Sequence, residues 1–210
     1  LADDLAVVND KLERANLSFA SALVTTLDAR DRYTAGHSAA VAVYSRDIAA
    51  ELGMTPEEQR TIHLAGLLHD IGHGPYAHAL DRVLAPRLTQ LMPMSLTSGL
   101  RLRTAEPTKV DKFLGPRYVA EELRTAVYDL GLDPEAVEHI LRGSHQRLAP
   151  WHALVAQVVD SESDVDRIDY LLRDSLFTAY PIGQMVNAEA LLDAFRPVLT
   201  KDSIKLAFDE

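Results

Sequence analysis

Apolar residues recur every three to four positions along most of the chain, and this helical periodicity limits the possible folds more than any other feature. Strong helix-start signals precede two of the periodic segments. The stretch TPEE at residues 55–58 combines an N-cap, a proline at the first helical position and a glutamate three residues after the cap, and DP at residues 133–134 repeats the cap and the proline. Only SIKLAF, near the end, alternates as a strand does. The sequence therefore predicts an all-α fold.

The first 30 residues carry a heptad pattern, in which apolar residues lie alternately four and three positions apart: Leu1, Leu5, Val8, Leu12, Ala15, Phe19 and Ala22. An amphipathic helix packed on its own domain and a coiled-coil stalk explain this spacing equally well. We take residues 1–30 as this N-terminal helix and residues 31–210 as one domain, a candidate for C-terminal truncation. A homo-oligomer, dimer or higher, is expected through the helix. Between Arg82 and Lys112 the periodicity weakens and prolines accumulate, which predicts a loop-rich insertion.

Composition excludes several classes of partner. Asp and Glu outnumber Lys and Arg by 31 to 21, so the charge of the chain argues against nucleic acid and anionic membranes. No cysteine is present, which leaves His, Asp and Glu as metal ligands and fits a reducing compartment. No apolar run approaches the roughly 18 residues of a membrane-spanning helix, and the acidic start does not match a signal peptide. We expect a cytoplasmic protein with no membrane partner.

The stretch HDIGHGPYAH, residues 69–78, concentrates three histidines and an aspartate where a helix ends. On a regular helix His69 and Asp70 would point about 100 degrees apart, but at a helix end both can reach one ion. His37 lies on the core-facing stripe of the preceding helix, so it can approach from a packed neighbour. A fourth ligand is expected in SDVDRIDYLLRDS, where Asp166 lies on a polar helical face. A solvated helix surface would also explain that stretch.

These residues, in the form His37, His69-Asp70 and Asp166, resemble the metal site of the HD-domain phosphohydrolase superfamily. More narrowly, HDIGHGPYAHALD and DVDRIDYLLRDSLFTAYPIG are similar to the two signature segments of deoxynucleoside triphosphate triphosphohydrolases, the branch that includes the SAM-and-HD-domain dNTPases. The resemblance covers about residues 31–210. It implies an HD-domain helical bundle in which those four residues bind a divalent ion: Mn, Fe, Mg, Ni or Zn.

The same resemblance implies roles for further residues. Three would be catalytic, two histidines beside the substrate phosphates and one carboxylate of the metal site: His73, His78 and Asp70. Three would bind the substrate through its phosphate, its nucleotide and its sugar hydroxyl, respectively: Arg167, Tyr170 and Asp174. The leading hypothesis is dNTP hydrolysis, in which a metal-activated water attacks the α-phosphorus and triphosphate is released.

Two segments depart from the dNTPase pattern. The histidine of an HE pair expected before the helix matching YVAEEL is missing, and KVDKFLGPRYVAEEL offers Asp111 and Lys112 instead. In the N-terminal third, LVTTLDARDRYTAGHSAAVAVYSRDIAAELGM resembles HD-GYP signalling domains, but their HHExxDGxGYP string is absent. Two further hypotheses stay open. One is a phosphodiesterase or nucleotidase acting on monophosphates or cyclic dinucleotides, and the other is a degenerate nucleotide-binding signalling module.

The remaining histidines have no partner in these motifs. His63 is off the helical face of His69 and is expected at the surface or behind the metal ligands. The others are expected to be structural or exposed: His139, His145 and His152.

Overall fold

The computed structural model describes residues 34–74, 77–91, 110–143, 150–161, 164–180, 187–200 and 204–208, with scattered positions among residues 7–24. Within these ranges the helices are α1 (His37–Glu51), α2 (Pro56–Leu67), α3 (His78–Leu91), α4 (Asp111–Glu121), α5 (Arg124–Asp129), α6 (Pro134–Arg142), α7 (Pro150–Val159), α8 (Val165–Thr178) and α9 (Ala188–Ala194). Two strands follow, β1 (Phe195–Leu199) and β2 (Ile204–Phe208). The all-α prediction is confirmed.

Side-chain caps explain where three helices begin. Thr55 accepts a hydrogen bond from the backbone N–H of Glu58, while the Glu58 carboxylate accepts one from the Thr55 N–H at 2.8 Å, so the predicted capping box forms at the start of α2. Asp133 caps α6 through the N–H of Glu135 at 2.9 Å. Asp164 caps α8, because its carboxylate accepts from the N–H of Arg167 at 2.8 Å. The last cap lies directly beside the candidate site.

The core forms where α1 and α2 pack together and α6, α7 and α8 close over them. Its fully buried side chains include Val41, Ile62, Val119, Val137, Ile140, Leu154, Val155, Val158 and Val165. Gly66 sets the close approach of α1 and α2, since a Cβ at this position would lie 2.9 Å from the Ala42 Cα. The packing of these helices brings the end of α2 beside the start of α1, and both ends carry predicted ligands.

Two sequence predictions are wrong in detail. The weakly periodic insertion from Arg82 is helical as far as Leu91, because α3 continues through Pro86 while Asp81 and Ala85 pack inside. Residues 92–109 lie outside the described part. The expected strand SIKLAF pairs with a second strand, β1, which the sequence analysis missed. The pairing is antiparallel, with Phe195 opposite Phe208 and Leu199 opposite Ile204.

The N-terminal heptad segment is described at ten positions, and all ten are helical. Val8 and Leu12, two positions of the heptad seam, are exposed. Near the end of this segment the Ser21 hydroxyl lies 3.3 Å from His63 Nε2, and Val24 packs against the core. The division at residue 30 and the oligomer stay predictions. None of the described helices combines the length and hydrophobicity that crossing a bilayer would require.

Candidate metal centre and active site

His69 and Asp70 lie in the turn that ends α2. The buried His69 ring donates from Nδ1 to the carbonyl of Gly66 at 2.7 Å, which leaves Nε2 as its ligand atom. This buried Nε2 makes no well-formed hydrogen bond with the described residues, although Asp70 Oδ1 lies 3.3 Å away. A buried imidazole nitrogen that has no hydrogen-bond partner and lies beside a carboxylate is suited to bind a divalent cation.

His37 reaches the same point from the first position of α1. Its Nε2 lies 3.8 Å from Asp70 Oδ2 and 3.1 Å from Asp166 Oδ1. The rings of His37 and His69 lie edge to face, with centroids 5.2 Å apart. One ligand atom each from His37, His69 and Asp70 lies within 4.8 Å of the other two, so the three can share an ion. The donor set, two imidazoles and a carboxylate, suits Mn, Fe, Ni or Zn.

Asp166, in the first turn of α8, borders both imidazoles. Its Oδ1 lies 3.7 Å from His69 Nε2 as well as 3.1 Å from His37 Nε2. The four predicted ligands therefore converge from three helix ends that are far apart in sequence. Asp166 as the fourth ligand stays a prediction.

Asp169, which the sequence analysis missed, holds His37 from behind. The Nδ1 of His37 donates to Asp169 Oδ2 at 2.6 Å, and this carboxylate is buried. Arg173 donates to the same oxygen through Nε and to the carbonyl of Ala35 through Nη1 at 2.9 Å. The chain of hydrogen bonds orients the His37 ring so that Nε2 faces the other ligands. The position of Asp169, one turn after Asp166, was the available sequence signal.

The pKa values of the predicted ligands are shifted in the directions expected of a site that is built to hold a cation. Burial lowers the pKa of His37, but hydrogen bonds to Asp166 and Asp169 outweigh it and raise the value to about 9. Burial also lowers the pKa of His69, while the charges of Asp70 and Asp166 raise it to about 10. Despite burial, the imidazoles hold the pKa values of Asp70 and Asp166 well below the usual range. In the metal-free protein, protons on the two histidines thus supply the positive charge that a bound metal ion would supply.

A cavity of about 560 Å³ opens over these ligands. Besides His69, Asp70 and Asp166, its described lining includes His73, Asp111, Lys112, Asp160, Asp164, Arg167 and Tyr170. A larger cavity, about 830 Å³, lies elsewhere, between the end of α1 and β1. We assign the site to the smaller cavity because the convergent ligands and the shifted pKa values are there.

Besides Asp70, three of the predicted catalytic and substrate residues line the cavity: His73, Arg167 and Tyr170. His73 Nε2 lies 3.3 Å from Asp70 Oδ1. Arg167 and Tyr170 line the cavity, whereas Asp174, two turns beyond Asp166, is not among its described lining residues. His78 begins α3, and its side chain lies outside the described part. The assigned roles of all five stay predictions.

Of the other histidines, His63 and His139 are not among the described residues that line the cavity. The surface position suggested for His63 is wrong: the ring is buried, with Nδ1 3.2 Å from the carbonyl of Ala42, and burial lowers its pKa. The structure buries His63 because the N-terminal segment covers that side of α2, which helical spacing alone did not show. His139 is half-buried on α6. His145 and the side chain of His152 lie outside the described residues.

An all-α bundle with a His and His-Asp cluster at its helix ends defines a class of metal-dependent hydrolases. The chain belongs to the HD domain family, which matches residues 34–174. A solved structure of a hypothetical protein from Aquifex aeolicus has the same fold, with a TM-score of 0.58 over 89% of this chain and 43% of that one, at 23% identity.

Several curated relatives carry functional names. The chain is 27% identical over 142 residues to the deoxynucleoside triphosphate triphosphohydrolase SAMHD1 homolog of Dictyostelium discoideum, covering 60% of this chain and 22% of the relative. It is 39% identical over 56 residues to the 3'3'-cGAMP-specific phosphodiesterase 1 of Vibrio cholerae, covering 27% and 13%. The chain spans about a third or less of the length of the first curated relatives it matches.

Proposed function

We propose that this chain is a metal-dependent phosphohydrolase that acts on nucleotides, and that its substrates are dNTPs, hydrolysed at the α-phosphorus with release of triphosphate. The observation that supports the proposal most directly is that His37, His69, Asp70 and Asp166 lie close together beside one cavity, which His69, Asp70 and Asp166 line. Bound there, a divalent ion would polarise a phosphoryl oxygen and lower the pKa of a water molecule.

His73 is the proposed proton donor in this reaction. Burial lowers its pKa, but the carboxylate of Asp70, with those of Asp111 and Asp81, outweighs burial and raises it. A charged imidazole can donate a hydrogen bond to a phosphate oxygen or a proton to a leaving oxygen. His78 is proposed to assist at the phosphates.

Arg167, Tyr170 and Asp174, all on α8, are the proposed substrate contacts. The guanidinium of Arg167 can bind phosphate oxygens in a bidentate manner, and the Tyr170 ring offers a face and a hydroxyl to the nucleoside. Arg167 and Tyr170 share the cavity with Asp166, so a substrate at the ion would meet both side chains. Asp174 is proposed for the sugar hydroxyl.

A panel of substrates tests the reaction. Metal-loaded protein is incubated with dNTPs, NTPs, nucleoside monophosphates and cyclic dinucleotides, and the products are identified by mass. We expect deoxynucleosides and inorganic triphosphate from dNTPs. Asp166→Ala should lose metal binding and turnover together, whereas His73→Ala should lose turnover by about 100-fold or more and keep its metal. An Asp166→Ala protein with full activity would contradict the site assignment.

A phosphodiesterase or nucleotidase is the second candidate, favoured by the 39% identity over 56 residues to the Vibrio cholerae enzyme. In that case linear dinucleotides or nucleosides appear, and triphosphate does not. Binding without turnover under any divalent metal would instead support a nucleotide-binding signalling module.

A further inference from the structure

The first turn of α4 docks directly on the metal-binding loop. A Cβ on Gly72 would lie 2.4 Å from the carbonyl oxygen of Asp111 and 2.5 Å from the backbone nitrogen of Gly115. No side chain fits between the two backbones, so the start of α4 sits against the residues that follow His69 and Asp70. This contact fixes the position of Lys112 at the rim of the cavity.

Lys112 lines the cavity, and an ion pair with Asp160 holds its ammonium group in place. Its Nζ lies 3.1 Å from Asp160 Oδ1, and its side chain is 24% exposed, so the ammonium group is partly desolvated. An ammonium group has three N–H donors, and one bond to Asp160 leaves two for a ligand. The ion pair bridges α4 and the residue that follows α7.

A polyphosphate ligand would need a cationic side chain such as Lys112 in this cavity, because carboxylates dominate the lining. Five aspartates are among its described lining residues: Asp70, Asp111, Asp160, Asp164 and Asp166. One divalent ion offsets two of these charges, and an anion would still face net negative potential. The lysine and arginine that the described lining contains are Lys112 and Arg167, which come from different helices.

We propose that Lys112 binds a second phosphate group of the substrate, separate from the one placed at the metal ligands, and so selects ligands with two or more phosphates. Asp160 aims the ammonium into the cavity. The inference rests on the proposed function for its nucleotide substrate. It also assigns a role to the segment where the dNTPase-like histidine is missing, because Lys112 lies in that segment.

Binding of inorganic phosphates tests this role without turnover. Calorimetry compares tripolyphosphate with orthophosphate on the metal-loaded protein, with divalent metal in excess over the ligand. Lys112→Met keeps the length of the side chain and removes the charge, and Lys112→Arg keeps the charge. Arg124→Met is the matched control, because Arg124 forms an exposed ion pair with Glu135 on α6.

We expect Lys112→Met to weaken tripolyphosphate binding by about 10- to 100-fold and orthophosphate binding by much less. Lys112→Arg and Arg124→Met should retain tripolyphosphate binding within a few-fold. In kinetics, Lys112→Met should raise KM for dNTPs far more than it lowers kcat. Lys112→Gln provides a second uncharged variant should Lys112→Met not fold.

Equal affinity for tripolyphosphate in wild type and both uncharged variants would overturn the proposal, as would equal losses for tripolyphosphate and orthophosphate. Turnover of dNTPs with normal KM in Lys112→Met would refute this inference alone. Lys112-dependent tripolyphosphate binding in a protein that hydrolyses no nucleotide would instead refute the proposed function and leave the binding site standing.

Discussion

At the scale of single residues, the site depends on groups behind the ligands as well as on the ligands. His37 and His69 each use Nδ1 to bond the protein, to Asp169 and to the Gly66 carbonyl respectively. Each bond leaves Nε2 directed at the shared point. Because an imidazole offers a lone pair on only one nitrogen when neutral, these partners decide which nitrogen can bind an ion.

Removing the Asp169 carboxylate should therefore weaken metal binding although Asp169 is not a ligand. We expect Asp169→Ala to lower the affinity for Mn²⁺ by about 10- to 100-fold in calorimetry, because the His37 ring loses the carboxylate that orients it. Asp169→Asn should retain part of the affinity, since an amide oxygen still accepts from Nδ1. Asp129→Ala, at an exposed carboxylate on α5, is the control. Unchanged affinity in Asp169→Ala would argue against this positioning role.

At the scale of elements, the docking of α4 on the metal loop joins two parts of the site. Gly72 follows the His-Asp pair within two residues, and its missing Cβ allows the backbone of α4 to approach. The same contact carries Asp111 and Lys112 to the cavity. The geometry of the loop and the position of α4 therefore depend on each other.

Gly72→Ala should separate these two elements. The added methyl group would clash with backbone atoms that have no rotamer to yield, so we expect the free energy of unfolding to fall by about 1–3 kcal/mol or more. Gly53→Ala is the comparison, because nothing lies within 4 Å of a Cβ there and only its positive φ of 74° is strained. Urea unfolding measures both variants. A smaller loss for Gly72→Ala than for Gly53→Ala would contradict the close approach.

At the scale of the whole molecule, the metal site links stability to pH. In the metal-free protein His37 and His69 have pKa values raised from 6.5 to about 9 and about 10. A raised pKa stabilises the fold fully below the unfolded value, and that contribution is lost as pH rises through the folded value. The aspartates act in the opposite direction, since their lowered pKa values stabilise the fold above pH 3.8 and lose effect in acid.

We therefore expect the free energy of unfolding of the metal-free protein, measured in urea with a chelator, to decline from about pH 6.5 to about pH 10. Saturating Mn²⁺ should stabilise the protein increasingly over the same window, because the ion competes with protons for the two rings. His139→Ala should leave the profile unchanged. A metal-free stability that is flat across this range would show that the imidazoles carry no such charge.

Local sequence signals account for much of the fold and for the predicted ligands. The capping residues Thr55 and Asp133 begin helices where they were expected, since a side chain and a backbone N–H two or three residues apart need no tertiary contact to pair. His69 and Asp70 lie in the turn that follows Leu67, the last residue of α2, where the sequence predicted a helix end. His37 and Asp166 were predicted from a core-facing stripe and a polar stripe together with the family pattern.

Only the tertiary structure decided the remaining features. The role of Asp169, the place of Lys112 beside Asp160 and the burial of His63 all depend on which helices touch, and apolar periodicity gives the face of a helix without its neighbour. β1 and the helical course of α3 through Pro86 were missed for the same reason, because packing partners stabilise short or proline-containing elements whose own sequences favour them weakly. The chain by itself determined the helices and the chemical types of the ligands. Their convergence on one cavity came from packing between distant segments, where the favourable contacts join residues that no local pattern connects.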